Sequence, residues 1–433
     1  MTIHVGIDIG TTSAKCCARK GNEVVLEIKQ IYEKEGTENE ENGMQNPKLI
    51  LKTVMGLLEK IQSQIQHENL QISDIWTCGQ MHGIVFWNQD SIADLASDSL
   101  IHSSLYNWTY SIPSDFLKSL PKWDYGELHP GFGLVTIAWL YHSDKDLLKN
   151  FNRCGTIMDL FLTYLTQNSQ TFISHHNAHS WGYCTREGTW QNETHEIIPS
   201  WIRIPKITKN CSEVVGAWNK IQCHVPSGDL QASVASLEYF ENTAYIILGT
   251  SAQLCCLVDP NQLETTVLPP TVVQLPYSEK KHLIAGCAMN GGNALKSMLK
   301  MRKPENYSSD HLHKLLQELD HSPPSDMPSD LLIDPMFIPE RGVTKKLLIE
   351  NIKPETTDEQ SLEATHQGIV NNLFYLFPIS LLTELNIKRL ALVGSAQCPR
   401  FRRHIEYAKN FSFVTPKSEI STPFGATNFS QIQ

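Results

Sequence analysis

The chain has 433 residues, of which 41% are hydrophobic and 19% charged, and its formal net charge is −10. One ordinary hydrophobic core does not accommodate this length, so we expect two or three domains of globular type. The acidic balance argues against nucleic acid as the main partner, because phosphate backbones are bound by basic patches. The short charged runs at 340–346 and 402–403 are interpreted as solvated surface.

The sequence shows no signal-peptide pattern and no apolar run near 18 residues, so we expect neither secretion nor insertion into a membrane. Its 11 cysteines are irregularly spaced and fit neither a disulfide framework nor a zinc site. This pattern is typical of reduced, mostly buried thiols. We therefore expect a cytoplasmic protein. Separately, we expect a monomer or a homodimer.

The first half predicts mixed α/β structure. It opens with strand, turn, strand and hairpin, followed by an acidic segment at 31–46 that we interpret as a solvated loop. Apolar residues recur at helical spacing from Ile50 to Ile65 after Pro47, which predicts a long amphipathic helix. Strand character returns at 75–87. Residues 100–200 have weak periodicity and predict loops more than regular elements.

After Pro226 the pattern restarts, with two apolar runs around a Gly-Thr-Ser turn. A short helix within 304–330 is followed by a Pro/Ser-rich loop. Residues 359–385 predict a long buried helix, which Pro378 should kink. The segment "KRLALVGSAQ" predicts a buried strand that runs into a Gly/Ser/Ala turn and a further helix.

The same hydroxyl-rich turn occurs once in each half, in "GIDIGTTSAK" (6–15) and in "IILGTSAQL" (246–254). Glycine permits a tight turn whose backbone N–H groups meet phosphate oxygens, and Thr and Ser hydroxyls add donors. Such donors are Thr11, Thr12, Ser13 and Lys15 in the first turn and Thr250 and Ser251 in the second. Two such hairpins predict a site that grips a triphosphate from both sides.

Two aspartates are candidates for chemistry, and the residues alone leave an alternative open for each. Asp8, on the strand before the first turn, either holds Mg²⁺ through water or caps its own turn. Asp229, in "PSGDLQAS" (226–233), is either a general base or an ordinary helix N-cap. As a base it would accept the proton of a substrate hydroxyl that attacks a γ-phosphate.

Six segments, in order, resemble the FGGY carbohydrate kinases: "GIDIGTTSAK", "GQMHGIVFW", "GDLQAS", "LGTSAQ", "NGGNAL" and "VGSA…PFGAT". Two more, "HPGFGLVTIAWL" and "HNAHSWGY", resemble the sedoheptulokinase branch. The resemblance extends over nearly the whole chain. It implies an α/β fold of two ribonuclease-H-like domains, as in actin and hexokinase, with ATP and sugar in the cleft between them. We place a sugar-binding domain with the first phosphate hairpin at 1–224 and a nucleotide-binding domain at 225–433.

The resemblance also implies roles for individual residues. Asp229 matches the catalytic base, and we place Mg²⁺ at Asp8 and Asp229. The implied sugar-binding residues, besides Asp229, are Gln80, Met81, His82, Trp108 and Asn177. The implied nucleotide-binding residues are Gly10, Thr11, Thr12, Ser13, Lys15, Gly249, Thr250, Ser251, Gly291, Gly292, Asn293, Gly394, Ser395 and Ala396.

The sequence departs from the family pattern at three points. Tyr110 stands where a Trp-x-Asp element has its Asp, and no Arg follows soon after. His175 stands where the loop before Asn177 often has an Asp, and the lead into Asp229 is short. The first two departures remove carboxylates from the sugar side. A polyol held by charged hydrogen bonds would lose roughly 1.5 to 3 kcal/mol per lost partner.

We expect an ATP-dependent, Mg²⁺-dependent ketose kinase that converts sedoheptulose to sedoheptulose 7-phosphate. Xylulose and other pentuloses are the alternative substrates. A nucleotide-binding regulatory protein that keeps the fold and has lost turnover is the alternative function, because of Tyr110 and His175.

Overall fold

The computed structural model describes residues 2–32, 43–92, 99–305, 307–340, 343–408, 410–417 and 420–432. Most of the acidic segment at 31–46 therefore lies outside the described residues. The chain divides into two compact units. Unit 1 consists of Met1–Leu237, Pro276–Glu279 and Ile420–Gln433, and unit 2 of Glu238–Leu275 and Lys280–Glu419.

The strands are, in chain order, β1 Thr2–Ile9, β2 Ser13–Lys20, β3 Glu23–Ile31, β4 Met44–Gln45, β5 Gln71–Gly79, β6 Val85–Trp87, β7 Leu105–Tyr106, β8 Arg153–Gly155, β9 Phe172–Ser174, β10 Lys206–Thr208, β11 Val214–Trp218, β12 Ile221–His224, β13 Ser227–Gly228, β14 Thr243–Leu248, β15 Ala252–Val258, β16 Val272–Pro276, β17 His282–Ala288, β18 Leu332–Asp334, β19 Leu348–Glu350, β20 Arg389–Gly394 and β21 Ser412–Val414.

The helices are α1 Pro47–His67, α2 Ser114–Ser119, α3 Gly133–Ser143, α4 Ile157–Thr166, α5 His175–His179, α6 Thr194–Ile197, α7 Asp229–Ala235, α8 Pro260–Leu263, α9 Gly292–Arg302, α10 Ser309–His321, α11 Asp358–Leu376, α12 Ile379–Glu384, α13 Pro399–Ile405 and α14 Thr422–Asn428. Within the part of the chain that is described, no helix has both the length and the apolar character needed to cross a bilayer.

Unit 1 is built on a sheet in the order β11-β12-β5-β1-β2-β3. Strands β1, β2 and β3 are antiparallel neighbours, whereas β5 lies parallel to β1. Helix α1 covers this sheet, and its apolar stripe from Ile50 to Ile65 is buried in the core, as the spacing predicted. The helix begins where the Asn46 side chain accepts hydrogen bonds from the N–H groups of Lys48 and Leu49.

Unit 2 repeats the arrangement with a sheet in the order β16-β17-β15-β14-β20-β21. Strand β14 is antiparallel to β15 and parallel to β20, just as β1 is antiparallel to β2 and parallel to β5. Both hydroxyl-rich hairpins thus occupy the same place in their own sheets. This is the ribonuclease-H-like α/β topology that we predicted, once in each unit.

Several local predictions are confirmed. The two hairpins, the helix within 304–330 and the strand before Gly394 are present as β1–β2, β14–β15, α10 and β20. The long helix at 359–385 is present as α11 and α12, which are separated at Phe377–Pro378 because proline cannot continue a helix. All 11 cysteines are free thiols, and nine of them are buried.

One prediction is incomplete and another is wrong. About half of residues 100–200 are loop, but this segment also contains the helices α3 and α4, which the sequence does not predict and which pack into the cores of unit 1. The charged runs are not uniformly solvated, since Glu340 is only 5% exposed and Arg403 pairs with the buried Glu363. Both side chains are held by partners that are distant in sequence, which no local charge pattern reveals.

The segment around the proposed domain boundary belongs to the sheet of unit 1. Strand β12 pairs with β5, and β13, just before Asp229, also pairs with β5. The short lead into Asp229 is therefore ordered by this pairing. The compact division falls after Leu237, within the predicted second domain, and the helix α14 near the end of the chain returns to unit 1. The family domain boundary at 224 stays a prediction.

Candidate active site

The first hydroxyl-rich turn is closed by a backbone hydrogen bond of its own, and it is held in place by Tyr32, the residue just after β3. The N–H of Gly10 donates to the carbonyl of Ser13 at 3.1 Å. Beyond β3, the Tyr32 N–H donates to the Thr12 carbonyl at 3.2 Å, and the Tyr32 hydroxyl donates to the Gly10 carbonyl at 3.1 Å. Thr12 is exposed, whereas Thr11 and Ser13 are half-buried. The turn therefore presents Thr12 to solvent on a fixed backbone.

A chain of hydrogen bonds joins this turn to two predicted sugar-binding residues. The indole Nε1 of Trp108 donates to Thr11 Oγ1 at 3.0 Å. The Thr11 hydroxyl lies 3.5 Å from Gln80 Oε1, and Gln80 Nε2 donates to the Gly10 carbonyl at 3.4 Å. The Thr11 side chain thus links Trp108 to Gln80, and its position in the turn depends on both.

We expect Thr11→Val to raise KM for the two expected substrates, the ketose and ATP, by about five- to thirtyfold. This change corresponds to about 1 to 2 kcal/mol of binding free energy. Valine has nearly the same shape but leaves the Trp108 N–H without its acceptor. Thr11→Ser keeps the hydroxyl and serves as the matched control. Steady-state kinetics of ADP release measures the effect. Equal KM values for the two variants would contradict a linking role for the hydroxyl.

The loop after β5 is held by α5 and by the turn before α3. His82 has φ of +76°, its N–H donates to Ser180 Oγ at 3.2 Å, and its Nδ1 lies 2.9 Å from the Ser180 carbonyl. Because a carbonyl only accepts, Nδ1 carries a proton and donates it to this carbonyl. The ring stacks on Phe132 with centroids 4.9 Å apart. The backbone and the ring of His82 are thus held by Ser180 and Phe132.

Met81 and Asn177 are both buried next to the segment that precedes Asp229. Met81 is 5% exposed, and a Cβ at Gly228 would lie 2.6 Å from its Sδ. Asn177 is fully buried and its Nδ2 donates to the Pro226 carbonyl at 3.1 Å. These two residues therefore support the backbone that leads into Asp229.

Three buried polar atoms around this segment have no hydrogen-bond partner among the described residues: Asn177 Oδ1, Ser227 Oγ and Gln231 Oε1. A buried polar atom left unpaired costs about 1 to 3 kcal/mol, so these three atoms are candidates for hydrogen bonds to a ligand. Gln231 was not among the predicted site residues. Its only sequence signal is its place in "GDLQAS", two residues after Asp229.

Asp229 is the first residue of α7 and is not its N-cap. Gly228, with extended backbone, occupies the N-cap position, and Asp229 Oδ1 accepts a hydrogen bond from the Leu230 N–H at 2.8 Å. Burial raises the pKa of Asp229 to about 7, the negative charge of Asp8 contributes to the rise, and the Leu230 N–H opposes it. The ordinary capping role considered from the sequence is therefore wrong.

Asp8 lies on the other side of β5 from the segment that carries Asp229. Asp8 is opposite Cys78 of β5, and Ser227 is opposite the same Cys78. Burial raises the pKa of Asp8 to about 6, while the facing Lys15 lowers it. Lys15 is opposite Asp8 across the hairpin and half-buried.

The two carboxylates fit a magnesium site. Mg²⁺ in proteins is held by one or two carboxylates and keeps several of its waters. Asp8 and Ser227, two residues before Asp229, are both opposite Cys78, and repulsion from the charge of Asp8 contributes to the raised pKa of Asp229. A divalent cation would remove that repulsion. The donor set of Asp8 and Asp229 thus suits the ion that we predicted there.

In unit 2, the second hydroxyl-rich turn and the "NGGN" segment form one structure. The Gly249 N–H donates to the Ser251 carbonyl at 2.9 Å. The Gly292 N–H donates to the Gly249 carbonyl at 2.9 Å, and the Asn293 N–H to the Thr250 carbonyl at 3.1 Å. Two motifs about 40 residues apart in the sequence are therefore a single backbone assembly at the start of α9.

The third predicted nucleotide segment ends β20, directly beside the second turn. Gly394 is opposite Leu248, has φ of +63°, and a Cβ there would lie 2.6 Å from the Leu248 carbonyl oxygen. Only glycine suits both conditions. Ser395 and Ala396 follow in a 3-10 turn, and the fully buried Ala396 belongs to the core. The predicted nucleotide-binding residues of unit 2 are thus brought together at the C-terminal ends of the strands β14, β17 and β20.

The two residues that depart from the family pattern are engaged elsewhere in unit 1. The Tyr110 ring packs edge-on against Tyr106 with centroids 4.9 Å apart, within an apolar cluster. His175 Nε2 lies 3.3 Å from the Thr185 carbonyl. Neither position supplies a carboxylate.

Comparison with known proteins gives consistent similarities. Residues 3–222 match the model of the FGGY family of carbohydrate kinases, N-terminal domain. Sedoheptulokinase of Mus musculus is 27% identical over 98% of this chain and 96% of its own length. Sedoheptulokinase of Homo sapiens is 26% identical over 91% of this chain and 90% of its own.

Solved structures share the fold. A ligand-bound xylulose kinase from Lactobacillus acidophilus matches 100% of this chain and 89% of its own, with a TM-score of 0.80 and 16% identity. Plasmodium falciparum glycerol kinase with ADP matches 100% of this chain and 90% of its own, with a TM-score of 0.79 and 15% identity.

Proposed function

The chain belongs to the FGGY family of carbohydrate kinases, and on this premise we propose that it phosphorylates a primary hydroxyl of a ketose from ATP, with sedoheptulose as the substrate and sedoheptulose 7-phosphate as the product. The observation that carries the proposal is the placement of Asp229 and Asp8 beside the same strand, next to a hydroxyl-rich turn. Similarity to two sedoheptulokinases over most of the chain supports the choice of ketose.

In this proposal Asp229 is the general base. Its carboxylate accepts the proton of the attacking hydroxyl, and a pKa of about 7 leaves about half of it deprotonated at neutral pH while making it basic enough to accept that proton. The Leu230 N–H bond to Oδ1 fixes the orientation of the carboxylate on the first turn of α7. In this proposal His82, Trp108 and the unpaired oxygens of Asn177 and Gln231 would orient the hydroxyls of the sugar.

In this proposal the two hydroxyl-rich turns bind the phosphates of ATP. Thr12, Ser13 and Thr250 would donate hydrogen bonds to the phosphate that is transferred, and Lys15 and Ser251 would be further phosphate-binding groups. Mg²⁺, held by Asp8 and Asp229, would neutralise phosphate charge when bound. Such catalysis consists mainly of positioning and charge stabilisation. The free, mostly buried thiols favour a reducing compartment, and we place the reaction in the cytoplasm.

The pKa of Asp229 gives a pH dependence. Because only the carboxylate form accepts a proton, kcat/KM should rise about tenfold per pH unit at low pH and level off above about 7. Initial rates between roughly pH 5.5 and 8.5, at fixed free Mg²⁺, measure the profile. A flat profile, or one that falls across this range, would contradict the role of Asp229 as base.

The substrate is tested with a panel of ketoses. Coupled ADP release is measured with Mg·ATP and sedoheptulose, xylulose or ribulose as acceptor. We expect the highest kcat/KM with sedoheptulose. A higher value with xylulose would overturn the specific substrate and leave a pentulose kinase of the same family.

A regulatory nucleotide-binding protein is the second candidate function. It is favoured by Tyr110 and His175, which stand where the family pattern has carboxylates and which are engaged in other contacts. This function predicts ATP binding without any ADP release that depends on a ketose. Isothermal titration with ATP, run beside the ketose panel, separates the two candidates.

A further inference from the structure

A buried carboxylate in unit 2 lies behind the predicted nucleotide-binding turns. Glu340 is 5% exposed and accepts four hydrogen bonds. The backbone N–H groups of Met289 and Asn290 donate to it at 2.6 and 3.3 Å, and the amides of Asn290 and Asn372 donate at 2.7 and 3.0 Å. All four donors are neutral.

Burying a carboxylate is unfavourable unless hydrogen bonds replace its hydration. Bonds from neutral donors to a charged acceptor are shorter and stronger than bonds between neutral groups, and two of those to Glu340 measure 2.6 and 2.7 Å. An amide or an apolar side chain would fill the same space without burying a charge. The carboxylate at position 340 therefore requires a reason beyond packing.

Met289 and Asn290, whose N–H groups bond to Glu340, form the corner between β17 and α9 at which the "NGGN" segment begins. Asn290 is fully buried and is also fixed by Ile338, whose N–H donates to Asn290 Oδ1 at 2.9 Å and whose carbonyl accepts from Asn290 Nδ2 at 2.7 Å. On the other side of the corner, Asn293 Nδ2 donates to the Met289 carbonyl at 2.8 Å. The corner is thus held from both sides.

This corner in turn fixes the second hydroxyl-rich turn. Gly292 and Asn293, two and three residues after Asn290, donate their N–H groups to the carbonyls of Gly249 and Thr250. The Asn293 side chain also accepts from the Gly291 N–H at 2.8 Å. A displacement of Met289 and Asn290 is therefore passed to the turn through two backbone hydrogen bonds.

We propose that Glu340 is a positioning residue for ATP: it acts through Met289 and Asn290 to fix the turn at 249–251, and it does not contact the nucleotide. This inference rests on the proposed function, because it assumes that the turn binds phosphate. A carboxylate is needed because it receives backbone N–H groups with both oxygens. A glutamine would place its own N–H₂ group against one of those donors.

The test is Glu340→Gln, with Glu350→Gln as the matched control at an exposed position of the same unit. KM for ATP, KM for the ketose and Kd for ATP by calorimetry are measured for both. We expect KM and Kd for ATP to rise about tenfold or more in Glu340→Gln, with KM for the ketose within about threefold of wild type. The control should match wild type in all three.

Unchanged affinity for ATP, or an equal rise in both KM values, would overturn the inference, since a merely structural role does not discriminate between substrates. If Glu340→Gln does not fold, Glu340→Asp is tested instead, because it keeps the charge on a shorter side chain. The rise in KM for ATP is again compared with the rise in KM for the ketose. Kd for ATP is measurable without turnover. A wild type that binds ATP but phosphorylates no ketose would therefore refute the proposed function and still leave the Glu340 comparison valid.

Discussion

Replacing Asp229 by Asn should lower kcat for ketose phosphorylation by about a thousandfold, which is the usual scale for loss of a general base. Asparagine keeps the size and the contact with the Leu230 N–H but cannot accept the proton. Kd for ATP measured without Mg²⁺ should change little, because the turns of unit 2 are not altered and no metal ligand is involved. Coupled ADP release and calorimetry measure the two effects.

Asp90→Asn is the matched control for this substitution. Asp90 is exposed in the same unit, so the same chemical change there should leave kcat within about twofold of wild type. If Asp229→Asn kept the activity of the control, another residue would be the base. Loss of kcat together with loss of ATP binding in the absence of Mg²⁺ would indicate a structural role for Asp229.

Gly425→Ala should strongly destabilise unit 1 and lower its activity. A Cβ at Gly425 would overlap the carbonyl oxygen of Ala232 and lie 2.8 Å from the Ser236 nitrogen, both backbone atoms in or next to α7. Overpacking against backbone costs about 3 kcal/mol, at the upper end of the usual range. Because Asp229 begins α7, a shift of this helix also misplaces the base, for which we expect about a hundredfold loss of kcat.

Tryptophan fluorescence during urea unfolding measures this loss selectively. All nine tryptophans lie between residues 76 and 218, which is within unit 1. Gly56→Ala is the control, since no heavy atom lies within 4 Å of a Cβ at that position of α1. It should be neutral or stabilise by up to about 1 kcal/mol. Equal unfolding midpoints for the two variants would contradict the close packing of α14 on α7.

The sequence predicted those elements whose signals are local. The helix α1 was predicted from its apolar spacing and Pro47, and the hairpins from apolar runs around Gly-Thr turns. The helix α3 was missed because it is apolar on nearly all sides, and an unbroken apolar segment lacks the periodicity that indicates a helix. Burial within a core, which decided its structure, was not visible locally.

The same distinction applies to the candidate site. Motifs identified the residues of the turns, including Thr11 and Gly394, because a turn is a short stretch of chain. The partners of Thr11 were not predictable, since Trp108 is 97 residues away. Glu340 was assigned to a solvated run because its partners Met289 and Asn372 are 51 and 32 residues away. Side-chain contacts across the fold are therefore the part that the sequence left undetermined.

The central claim is a phosphoryl transfer from ATP to sedoheptulose that depends on Asp229. The most direct measurement incubates Mg·ATP and sedoheptulose with wild type and with Asp229→Asn, and quantifies ADP and sugar phosphate by phosphorus NMR. We predict one equivalent of sedoheptulose 7-phosphate per ADP with wild type and neither product with the variant. ATP binding by wild type with no ketose-dependent ADP, or equal product from both proteins, would contradict the claim.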